Sequence, residues 1–174
     1  MFDLLRQRRS IRKFKSQPVE PEKVEMLCEA LLRSPTSRNF QPCEFVLVDD
    51  PVLLLKLAIA KAHGTSFFST APLAIVVAAD PHKSDVWIED SSIAAIVSQL
   101  AAEELGLKSC WAQLRLRPHE GEENASEYVR KLVGLPEGIE VPMVIAVGYP
   151  DEEKEGHPRD TLRDEKIHRN SYLG

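Results

Sequence analysis

The sequence has few of the residues that build disulfide frameworks, metal centres or membrane spans. Its three cysteines, Cys28, Cys43 and Cys110, have no close spacing, which argues against both a disulfide scaffold and a zinc site. The five histidines show no ligand spacing either, so no metal is expected. No apolar run approaches the roughly 18 residues that a membrane helix needs. The first nine residues lack the basic-then-apolar order of a signal peptide, so a cytoplasmic protein without a membrane partner is expected. Positive charge is in deficit: 22 Lys and Arg against 27 Asp and Glu give a net charge of −5. That balance does not suit a polyanion, so nucleic acid is not an expected partner. Repeats, low-complexity runs and flexible linkers are also missing, and residues 1–174 read as a single domain.

Against this acidic background the first fifteen residues stand out. Arg6, Arg8, Arg9, Arg12, Lys13 and Lys15 face the single acid Asp3. A local cationic island suggests a small anion rather than a long polyanion track.

Helix and strand signals alternate along the chain. A short helix over Phe2 to Arg9 precedes the basic segment. Pro21 opens a second helix carrying Val24, Leu27, Cys28, Leu31 and Leu32 at helical spacing, and Pro35 stops it. Phe45 to Val48 make a strand within Glu44 to Asp49. Asp50-Pro51 reads as the N-cap and first residue of a helix running to about Ala62. The unbroken apolar run Leu73 to Ala79 predicts a strand buried on both faces. Ile88 to Leu105 predicts a long central helix ended by Gly106. A strand follows over Ser109 to Leu114. Asn124 and Glu127 form a capping-box pair for the next helix, and Val141 to Val147 is the last strand. From Asp151 the tail is charged and apolar-poor, so it is either loose or laid on another surface. Four core strands with helices imply an α+β or α/β sandwich.

Two segments have the composition of a binding site. In Arg8-Arg9-Ser10-Ile11-Arg12, paired guanidinium forks and a hydroxyl suit a phosphate monoester. A solvated basic patch is the plainer alternative. In Ser34 to Pro42, small polar side chains lie between prolines, which suits the donor and acceptor edges of a planar heterocycle. An ordinary turn is the better account of that loop taken alone.

Taken together, Arg8-Arg9-Ser10-x-Arg12-x-Phe14 and Ser34-Pro35-Thr36-Ser37-x-Asn39-x-Gln41-Pro42 resemble the FMN-binding nitroreductase family. Leu105 to Trp111 and Leu135-Pro136-Glu137-Gly138 through Gly148-Tyr149-Pro150 are similar to later family motifs, so the resemblance runs from about Arg8 to Pro150. It implies an α+β fold with a mixed sheet sandwiched by helices, a long central helix and an extended C-terminal tail. It also implies FMN as cofactor and a homodimer with FMN at the interface. The implied reaction passes electrons from NAD(P)H to a small acceptor such as a nitro compound or quinone by a ping-pong mechanism, with no catalytic side chain required. Arg8, Arg9 and Ser10 would hold the phosphate or ribityl chain, and Arg12 would lie near the ring. Pro35, Thr36, Ser37 and Asn39 would reach the flavin from the other subunit, and Arg159 would add a phosphate contact. Cys43 stands where the family often has tryptophan. Trp111 is open between stacking on the flavin and packing in the core, whereas Cys110 reads as a small buried hydrophobe. Arg115 to Gly121 is the candidate mobile cover, and the His168 to Tyr172 end would either lie on the partner or fray. A dehalogenase or heterocycle oxidase on the same fold, or a non-catalytic anion-binding module, are the alternative readings.

Overall fold

The computed structural model describes residues 1–172. Five helices and four strands alternate: α1 (Phe2–Gln7), α2 (Pro21–Leu32), β1 (Cys43–Val48), α3 (Pro51–Ala58), β2 (Leu73–Ala79), α4 (Trp87–Glu104), β3 (Lys108–Gln113), α5 (Ala125–Leu132) and β4 (Glu140–Gly148). The strands form one sheet in the order β1-β2-β4-β3, every neighbouring pair antiparallel. The parallel component is an isolated bridge between Ser10 and Ser109 on the outer edge of β3.

Strand periodicity decides the layers, because alternate residues face opposite sides. Leu73, Ile75, Val77, Met143, Ile145 and Val147 face α2 and α4, where they meet Leu27, Leu31, Ala94, Ala95 and Ala102. Ala74, Val76, Ala78, Val144, Ala146, Cys110 and Ala112 face the other way, onto Leu54 and Leu57 of α3, Phe67, Phe68 and Val129 of α5. All seven residues of β2 are buried, as its unbroken apolar run predicts.

Two helix starts follow the sequence signals. Asp50 Oδ1 accepts from the N–H groups of Val52 and Leu53, at 2.7 and 3.1 Å. Asn124 Oδ1 accepts from Glu127 N at 2.9 Å, but the Glu127 carboxylate turns along the helix to Lys131 instead of closing the box. Two ends differ from expectation. The first helix stops at Gln7 rather than Arg9, because Arg8 is already extended (ψ 124°) to enter the bridge with Ser109. The third stops at Ala58 rather than near Ala62. Beyond it the chain turns inward, so that the Ala60 carbonyl meets His119 Nδ1 at 3.0 Å and Lys61 Nζ reaches the Gln113 carbonyl at 2.8 Å.

The charged tail is not loose at its start. Asp151 N donates to Lys13 O at 2.8 Å, and Lys154 Nζ donates to Ser10 O at 3.0 Å, so residues 151–156 lie along the N-terminal segment. Beyond them the chain is exposed through residue 172, with 3-10 turns at Arg159–Thr161 and Asp164–Lys166.

Gly148 is where β4, the N-terminal segment and the Pro72 turn converge. A Cβ there would stand 2.6 Å from Pro72 Cδ and 3.2 Å from Phe14 Cδ1, and a proline ring cannot swing away. Gly148→Ala is therefore expected to cost about 1–3 kcal/mol, the usual price of overpacking. Urea denaturation of the two proteins measures it, and an unchanged midpoint would contradict the close approach.

Candidate functional site

The basic segment is held on the open edge of β3. Ile11 N donates to Ser109 O at 3.1 Å, and buried Ile11 and Phe14 anchor the segment in the core. Arg8 and Arg9 are half-buried beside it, and Arg12 is exposed. The Arg9 guanidinium donates to the Glu155 carbonyl. Arg12 N donates to Glu152 Oε1 at 2.5 Å, and Lys154 Nζ pairs with the same oxygen at 2.9 Å. The Arg12 N–H and then Lys154 hold the Glu152 carboxyl below its ordinary pKa. Arg9, Ser10 and Arg12 share this edge with Lys154, and Arg8 precedes them in the same segment.

Cys110 lies beneath this group. Its thiol is buried, and burial raises its pKa, against the pull of Arg12, Lys154 and the Ser10 hydroxyl. The raised value supports a small buried hydrophobe rather than a reactive thiol. Trp111 packs partly buried on the α4 side of the sheet.

Lys61 extends the cationic line toward the far end of β3. Burial lowers its ammonium pKa first and repulsion from Arg117 second, while Cys110 pulls the other way. Sequence patterning gives no hint of it, because Lys61 lies in the turn after α3 and outside every motif. Lys154 had one weak signal, its position just after Gly148-Tyr149-Pro150.

Between these cations the main chain of β3 is available. Ser109 O and Gln113 O both point away from β4, to Ile11 and Lys61. Alternation along an edge strand puts the Trp111 N–H and C=O on that same outward side. The Trp111 carbonyl carries one weak contact, from the Cys110 thiol at 3.7 Å. Cations flanking outward main-chain donors and acceptors suit a phosphorylated, planar molecule with amide-like edges.

The polar loop stands elsewhere. Its 3-10 turn, Ser37–Asn39, precedes β1 at the opposite edge of the sheet. Ser37 N donates to Asp90 Oδ1 at 2.8 Å, tying the loop to the first turns of α4. Pro35 and Asn39 are exposed, Thr36 and Ser37 half-buried. Cys43 follows the loop, its half-buried thiol 3.7 Å from Ser91 Oγ and raised in pKa mainly by burial. Residues 43 and 113 share one end of the sheet, and Ser109 the other. The loop and Ser10 are therefore diagonal, three inter-strand steps or about 14 Å apart across the strands alone. Arg159 is exposed on the tail and pairs with Asp164 at 2.8 Å. Arg115 to Gly121 forms a tight loop, closed by the bridge between Pro118 and Asn124, on a cleft of about 570 Å³.

Comparison with known proteins adds the following. The sequence profile described as Nitroreductase family matches residues 5–64 and 52–149. A protein of Archaeoglobus fulgidus, provisionally named NADH dehydrogenase/NAD(P)H nitroreductase, is 36% identical over 95% of this chain and 94% of its own. The structure of an FMN-dependent nitroreductase from Clostridium difficile R20291 superposes with a TM-score of 0.96 at 43% identity, covering 98% of this chain and 99% of that one. The NADPH:FMN oxidoreductase of Vibrio harveyi, solved with NAD+, gives a TM-score of 0.81 at 26% identity, covering 98% and 77%.

The burial of Cys110 has a direct consequence. At pH 8 its raised pKa leaves little thiolate, so the native protein should resist iodoacetamide at Cys110 and react there once unfolded in urea. Mass mapping of labelled peptides checks this. Rapid native labelling at Cys110 would contradict its placement.

Proposed function

This chain belongs to the nitroreductase family, and from that membership we propose that it is an FMN-dependent oxidoreductase whose single domain spans residues 1–174. It takes electrons from NAD(P)H and passes them to a small acceptor, a nitro compound or a quinone. The observation that carries the reading is the outer edge of β3, where outward main-chain groups run between the Arg9–Lys154 cations and Lys61.

The residues present fit FMN. Arg8, Arg9 and Ser10 hold the phosphate, with Lys154 reinforcing them from the tail. Arg12 and Lys61 set positive charge beside the ring. Arg159, exposed on the tail, would add a further phosphate contact. The diagonal separation of the polar loop from Ser10 supports a homodimer in which Pro35, Thr36, Ser37 and Asn39 serve the partner's site, since one copy brings only half the donors to any one flavin.

When bound, FMN supplies two-electron redox chemistry between the nicotinamide and the acceptor. The protein's part is to bind, orient and stabilise charge. Arg12 and Lys61 would favour the more negative, reduced form, and the outer edge of β3 would offer it main-chain hydrogen bonds. One open site used in turn by donor and acceptor gives ping-pong kinetics.

Purified protein is expected to be yellow, with Arg8→Ala weakening FMN binding roughly ten- to a hundredfold, the loss of one charge-assisted contact. Mixing Arg8→Ala with Asn39→Ala protomers should restore one tight FMN per dimer, because the two lesions then share one site and leave the other intact. Flavin fluorescence titration reads both outcomes. A colourless protein that takes up no FMN defeats the assignment.

Lys61→Met tests the ring charge separately. Removing a cation should lower the two-electron midpoint potential by about 30–60 mV, equivalent to a contact of about 1.5–3 kcal/mol. Spectroelectrochemical titration measures it, and an unchanged potential would remove Lys61 from the ring.

A further inference from the structure

We propose that Asp90 is a positioning residue that holds the Thr36–Gln41 loop in the shape that presents it to the flavin; the proposal rests on the FMN reading above. Asp90 is 2% exposed, in the first turns of α4. Its Oδ1 accepts from Ser37 N at 2.8 Å, and its Oδ2 accepts from Ser84 Oγ at 3.2 Å. Ser84 Oγ in turn accepts from Val86 N at 3.3 Å, just before the helix begins. Both carboxylate oxygens are therefore occupied, one by the loop and one by the entry to α4. The positive end of α4 offsets the cost of burying the charge.

The loop needs such a hold. Arg38, Asn39 and Gln41 all have positive φ, at 51°, 57° and 48°, and none is glycine. Three left-handed residues in four positions are disfavoured in a free chain and persist only where the surroundings over-determine them. The other restraints are weaker. Gln41 N donates to Thr36 Oγ1 at 3.1 Å and Gln41 Nε2 to Asn39 Oδ1 at 3.3 Å, both inside the loop itself. Arg38 pairs with Asp85, but the two side chains are 59% and 75% exposed, where solvent screens the pair. The Asp90 contact is the buried, charge-assisted one that ties the loop to a rigid helix.

The test compares Asp90→Ala, Asp90→Asn and Asp85→Ala by FMN titration, by the visible circular dichroism of bound flavin, and by amide exchange of the FMN-free protein. Asp90→Ala should weaken FMN about tenfold, change the flavin dichroism and speed exchange at Ser37 to Gln41. Asp90→Asn keeps an acceptor for Ser37 N and can donate to Ser84, so it should stay within about threefold of wild type with wild-type dichroism. Asp85→Ala should stay within about twofold. If Asp90→Ala does not fold, Ser37→Pro at the first position of the 3-10 turn removes the donor together with the Ser37 hydroxyl, so it is read by amide exchange alone, and exchange at Arg38 to Gln41 should speed up. Wild-type affinity, or unchanged exchange at Ser37 to Gln41 in Asp90→Ala, overturns the proposal. Exchange needs no flavin, so if the wild type takes up no FMN the function falls while the latch is still decided.

Discussion

An edge strand with one neighbour has a free row of main-chain donors and acceptors, and β3 is such a strand on a sheet that is otherwise covered on both faces. Its first residues are capped by the N-terminal segment through the bridge between Ser10 and Ser109. That bridge fixes where Arg8, Arg9 and Arg12 can reach, and it ends α1 at Gln7. Past Ile11 the segment moves on toward Tyr149, where Lys15 N donates to the Tyr149 carbonyl, and the middle of β3 is left open. The candidate site thus arises from a strand whose outer side is paired at one end only. The same bond that anchors the cations defines the length of edge available to a ligand.

Most of the scaffold was legible because its signals are local. A seven-residue apolar run has one physical outcome in a sandwich, a strand buried on both faces, and Asp50-Pro51 has one at a helix start. The signals that failed were those that tertiary contacts override. The pattern after Pro51 remains helical in character to Ala62, yet the backbone leaves the helix at Ile59 so that residues 60 and 61 can reach His119 and Gln113. Lys61 was invisible for the same reason. Its importance lies in a contact 52 residues away, and no periodicity or spacing encodes it.

The polar loop shows another limit of the sequence. Its composition alone could not separate a plain turn from a recognition loop, because both use serine, threonine and asparagine. The structure adds backbone geometry that composition does not carry: three left-handed non-glycine residues and a main-chain bond to a buried carboxylate. An ordinary turn would place glycine or asparagine at such positions at lower cost. Asn39 follows that rule, whereas Arg38 and Gln41 do not.

The two buried carboxylates of α4 explain how this helix can occupy the centre of the fold. Asp90 lies near the N-terminus, where the helix dipole favours a negative charge. Glu103 lies in the last turn, where the dipole opposes it, and its side chain is only 2% exposed with Oε1 unpartnered. Lys108 Nζ compensates at 2.5 Å from Oε2. That pairing takes Lys108 out of the set of cations free to meet a ligand, although it lines the same cleft as Arg9 and Lys154. The cationic edge therefore reduces to Arg8, Arg9, Arg12, Lys154 and Lys61. The Glu155 carbonyl and Glu152 already moderate two of these, Arg9 and Lys154, while Glu152 also accepts from the Arg12 main-chain N–H. An anion that binds here must compete with those contacts, so the start of the tail, residues 151–156, acts both as a wall of the site and as the group a phosphate has to displace.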